Sequence, residues 1–72
     1  MNQGYVTWFT NETCVRHKVR KRDMLYIIVH GSDVVAVMTS PVDAHLIAKP
    51  LGAQIWTCQP NSTDATLLVG GE

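Results

Sequence analysis

Charge is scarce in this sequence and leans to neither sign: six Lys and Arg balance six Asp and Glu over 72 residues, and charged side chains make up only 17%. A zero net charge removes whole-molecule attraction as a guide to partners. Long apolar runs are missing too. The longest, residues 24–29, covers six positions, far short of the ~20 that a membrane-crossing helix needs. Cysteine is limited to Cys14 and Cys58, which excludes a scaffold held by several disulfides. There is no Gly-rich phosphate loop, no nucleophile elbow and no helical metal-hydrolase motif, so no catalytic residue and no cofactor is expected.

What is present is apolar enough to fold. Hydrophobic residues reach 46%, too many for a disordered chain. The length suits a single small domain over residues 1–72, because independent domains need about 50 residues or more. Met1 is followed by Asn2, Gln3 and Gly4 rather than by a basic start and an apolar stretch. A cytoplasmic protein with reduced thiols is therefore expected. In that compartment Asn11-Glu12-Thr13 and Asn61-Ser62-Thr63 read as turns, although both match the glycosylation acceptor pattern.

Local patterns predict six strands and one helix. Residues 5–10 are rich in aromatic and β-branched side chains and end at Asn11-Glu12, which reads as strand then turn. Residues 14–20 alternate, with Val15, His17 and Val19 on one side and Arg16, Lys18 and Arg20 on the other, the pattern of a half-buried strand with a basic outer face. Residues 24–29 fit a central strand, and Gly31-Ser32-Asp33 turns the chain into a strand at 34–38. Ser40-Pro41-Val42-Asp43 has the form of a helix start, and Pro50 and Gly52 close a short helix. Residues 53–58 and 66–69 complete the set. The expected class is α+β, in the order ββββαββ, as a mainly antiparallel sheet or partial barrel with one short helix. One short helix leaves sheet surface uncovered, because strands lie ~4.8 Å apart and a helix is only ~10 Å wide. A spare sheet face or an edge strand is thus expected to meet another chain.

The charges are unevenly distributed. Residues 16–22 hold Arg16, Lys18, Arg20, Lys21 and Arg22 and no acid, a local +5 that leaves Lys49 against six acids, a net −5, in the rest of the chain. Along a strand, Arg16, Lys18 and Arg20 would project at intervals of about 6.8 Å. Such a ribbon suits an acidic protein, or phosphates with Trp8, Phe9 or Tyr5 as a stacking platform. Its plainest role is to guard an edge against aggregation. Cys14-x-x-His17 has chelating spacing, but on a strand the two residues face opposite ways and no second close pair follows, so no metal site is expected. Trp56, in an alternating segment, is expected to fill core, whereas Trp8 is a candidate anchor. The expected function is a small non-enzymatic regulatory module, an inhibitor or adaptor, that binds a protein partner or itself through Trp8, Arg16, Lys18, Arg20, Lys21 and Arg22. The alternative is an RNA- or DNA-binding module using the same cations.

Overall fold

The computed structural model describes residues 3–20 and 22–70; of residues 3–5 only the backbone is described. Lys21 lies outside the described residues, as does the side chain of Tyr5. The elements are α1 (Gln3–His17), β1 (Leu25–His30), β2 (Asp33–Met38), α2 (Pro41–Leu51), β3 (Gln54–Cys58) and β4 (Ala65–Val69). The four strands form one antiparallel sheet in the order β2-β1-β3-β4. The α+β class holds, with two helices and four strands in place of one helix and six strands.

The strands arise where local signals demand them. β1 and β2 form a hairpin around Gly31, whose φ of 65° is a conformation that glycine adopts freely. α2 begins where the Ser40 hydroxyl accepts from the Asp43 N–H at 3.4 Å and Pro41 occupies the first turn. It runs through Lys49 and Pro50 to Leu51, past the expected stop. Proline in the last turn forfeits one bond, but Gly52, at φ 64°, lets the Ala53 N–H reach the Ala48 carbonyl at 3.1 Å and close the end. β2 and β3 both run antiparallel to β1, which lies between them, so α2 is the crossover that joins two parallel-running strands.

α2 covers one face of the sheet. Ile28 and Ile55, paired across β1 and β3 and fully buried, lie in one cluster with Ala44, Ala48 and Ala53, and Tyr26, Ala36 and Met38 pack around it. Alanines one turn apart let the helix approach the sheet closely. The opposite face carries Leu25, Ile27 and Cys58, also buried. On this side α1 turns inward Thr10, which is fully buried, and Thr13, and the Thr7 hydroxyl donates to the Ser62 carbonyl at 3.5 Å.

This corrects the reading of residues 5–10 and 14–20 as two strands with a turn at Asn11-Glu12. Residues 5–17 belong to one helix of 15 residues, α1, and 18–20 follow it. Glu12 and Arg16 pair at 3.4 Å, four residues apart, and the Thr10 hydroxyl donates back to the Thr7 carbonyl at 2.9 Å. The β-formers in this segment express a preference of only about 1 kcal/mol over the whole β scale, and the need for a layer over the second sheet face overrides it. The basic strand therefore does not exist. Arg16 ends a helix, and Lys18, Arg20 and Arg22 follow it in irregular backbone.

Both sheet edges are irregular. Between Ile28 and Val29 of β1 the partner strand carries one surplus residue, Val35; between Ile55 and Trp56 of β3, β4 carries a surplus Leu68. Such bulges break the regular ladder that an incoming strand needs.

Ile28→Ala is expected to cost 2–5 kcal/mol, or about that range, by leaving a cavity under α2. Val15→Ala, at a position 82% exposed, is expected to stay within about 0.5 kcal/mol of wild type. Urea denaturation of the two variants checks both; equal losses would mean that α1 packs with its other face inward.

Candidate functional site

The described residues that stand out for function lie on the outer face of α1 and just beyond its C-terminus. With 3.6 residues per turn, burying Thr10 and Thr13 rotates Trp8, Asn11, Glu12 and Val15 outward. The helix buries Thr10 and Thr13 with Val6, Phe9 and Cys14 half-buried beside them, and leaves Trp8 56% and Val15 82% exposed. Trp8 is steadied by Phe9, edge to face, with ring centroids 5.1 Å apart and planes at 77°. Trp8, Asn11, Glu12, Val15 and Arg16 line an open groove of about 440 Å³.

The cationic segment begins inside this groove. Arg16 is held by Glu12. Lys18 follows at φ 56°, in the left-handed region, and allows the Val19 N–H to reach the Cys14 carbonyl at 3.0 Å, the helix-ending bond usually associated with glycine. Arg20 and Asp23 close the next turn, through the Asp23 N–H to the Arg20 carbonyl at 3.0 Å and the Arg20 N–H to Asp23 Oδ2 at 3.3 Å. Lys18, Arg20 and Arg22 are exposed, and among the described residues none of them joins an ion pair.

Of the residues singled out in the sequence, Trp8 and Arg16 meet in one groove, and Lys18, Arg20 and Arg22 follow in the turns beyond the end of α1. Val15, Asn11 and Glu12 were missed as lining residues. Their spacing from Trp8, three, four and seven residues, is the signature of one helix face, visible only once the segment is read as helical. Trp56 is half-buried and its indole N–H donates to Gln54 Oε1 at 3.1 Å. A second outward apolar face lies on α2, where Val42 and Leu46 are exposed.

The other reactive side chains do not assemble. The helix brings Cys14 and His17 one turn apart, yet the described residues contain no group of three or more His, Cys, Asp or Glu able to hold a metal. His45 donates from Nδ1 to the Pro41 carbonyl at 2.7 Å. Cys14 and Cys58 are free thiols. Burial raises both above the ordinary value of 9.0; for Cys58, hydrogen bonding to Ser62 opposes this, while Asp64 and Cys14 add to it. Raised thiols are poor nucleophiles at neutral pH. Among the described residues no helix is long and apolar enough to cross a membrane. Comparison with protein-family models, curated proteins and solved structures finds no match.

Ellman's reagent at neutral pH should label Cys14 first, with Cys58 following only on unfolding. Linkage gives the sign for pH. Below 9.0 both states hold the Cys58 proton, so its contribution is fully present; above 9.0 the unfolded chain releases it first, and stability falls as pH rises. Cys58→Ala should flatten that decline in thermal melts, and an unchanged slope would assign the decline to other groups.

Proposed function

We propose that this protein is a small non-enzymatic adaptor or regulatory module that binds a protein partner through the outer face of α1 and the cationic segment that follows it. The observation that carries the reading is the outer face of α1: Trp8 and Val15 face solvent while Thr10 and Thr13 are buried. Leaving a tryptophan and a valine in water forgoes apolar burial worth about 25 cal/mol per Å², even though Val6, Phe9 and Cys14 are half-buried on the inner side. A tryptophan beside arginine, next to a groove, is the composition in which interface energy concentrates. Bulged edges turn the reading away from the sheet and towards the helices. The cations Arg16, Lys18, Arg20 and Arg22, with Lys21 between them in sequence, would steer an acidic partner. In this reading the protein works in the cytoplasm, where both thiols stay reduced.

The left-handed Lys18 supports the same view. Glycine would end α1 with less strain, so the lysine stands where stability alone would not place it. Lys18→Gly is expected to stabilise the fold by about 1 kcal/mol and to weaken partner binding. A loss of stability instead would show that the lysine is structural.

The main test is capture from native lysate by the full chain. Trp8→Ala and the pair Arg16→Glu/Arg20→Glu should each abolish retention of the partner, whereas Val35→Asp on the β2 edge should leave it intact. Retention that ignores Trp8 and the arginines, or no partner retained by a monodisperse monomer in sedimentation, would overturn the proposal. Binding to single-stranded nucleic acid, with a log–log salt slope near −0.7 per phosphate contact, would establish the alternative instead.

A further inference from the structure

We infer that the partner presents an acidic amphipathic helix, which lies antiparallel to α1 with its acidic N-terminal turns over Lys18, Arg20 and Arg22. This rests on the docking face proposed above and adds the partner's chemistry and direction. The groove is open and lined from a single helix. Trp8 and Val15 are seven residues apart, about 10 Å along the axis. An elongated apolar ridge of that length is what a second helix offers at the usual separation of about 8–10 Å.

Charge along this ridge is one-sided. Residues 3–11 contain no acid and no base. Glu12, in the middle, is neutralised by Arg16 at 3.4 Å. Only past the end of α1 do unpaired cations follow, at Lys18, Arg20 and Arg22. A complementary partner therefore carries its acids at one end. A helix tolerates acids best in its first turns, where its own dipole is positive, so that end belongs over the cations. Antiparallel alignment achieves this and also sets the partner's positive N-terminus beside the negative C-terminus of α1. Parallel alignment would place the acids at the partner's C-terminus, against its own dipole. A phosphate backbone following the groove would run past Glu12 and the uncharged half of the ridge, which is a poor match for a chain charged at every unit.

Selection of a randomised peptide display library on the full wild-type chain, with counter-selection on Trp8→Ala, tests the inference. The enriched peptides should carry apolar residues at helical spacing and Asp or Glu within their first two turns. A synthetic copy should lose about tenfold in affinity for Arg20→Glu/Arg22→Glu and regain it when its own acids become lysines. Acids at the C-terminal end, no acids, or no preference for wild type over Trp8→Ala would overturn it, as would tighter binding of polyuridine or phosphatidylglycerol vesicles to the same face. Circular dichroism of each variant confirms that the fold is retained. If lysate capture depends on Trp8 while the selected peptides lack acids, the partner chemistry fails and the docking face stands. If neither depends on Trp8, both fail.

Discussion

The structure depends on a sheet that is apolar on both faces. Ile28 and Ile55 form the centre of one face, and the small side chains of Ala44 and Ala48 let α2 settle onto them. Leu25, Ile27 and Cys58 make the other face equally unwilling to meet water. With both connections around α2 short, only the segment before β1 is free to serve as the second roof. α1 turns threonines inward, methyl-bearing and small; the Thr10 hydroxyl donates to the Thr7 carbonyl and the Thr7 hydroxyl to the Ser62 carbonyl. Trp8 and Val15 are left on the outside.

How much was legible follows from this asymmetry. The hairpin at Gly31, the cap at Ser40-Pro41, the stop at Gly52 and the strands at 53–58 and 66–69 are written in local chemistry, and each element lies within one or two residues of its expected place. α1 is written nowhere locally. Its Val, Thr, Trp and Phe favour strands, and Val15, His17 and Val19 alternate with Arg16, Lys18 and Arg20 by coincidence of order. A tertiary demand decided it, and periodicity within the segment carries no trace of that demand. The candidate site shared this fate. Trp8 and the cations were recognisable by residue type, but their arrangement depended on a helical geometry that the pattern concealed, so Val15 and the groove went unseen.

The same demand links fold to function. Covering the sheet with threonines leaves Trp8 and Val15 with no internal use, and the end of α1 delivers the chain directly into the cationic turn that Arg20 and Asp23 close. The apolar ridge and the charge that could orient a visitor on it are therefore products of one chain segment, residues 6–22, and not of distant parts brought together. A surface made this way changes by substitutions that scarcely touch the core beneath α2.

The surplus residues Val35 and Leu68 have a wider consequence. A small protein with so little charge would ordinarily risk cross-β growth, each outer strand serving as a template for the next molecule. Interrupting the ladder in both outer strands denies a fibril its repeating contact at either side. The chain thus pairs apolar helix faces with outer strands that offer a growing fibril no continuous template.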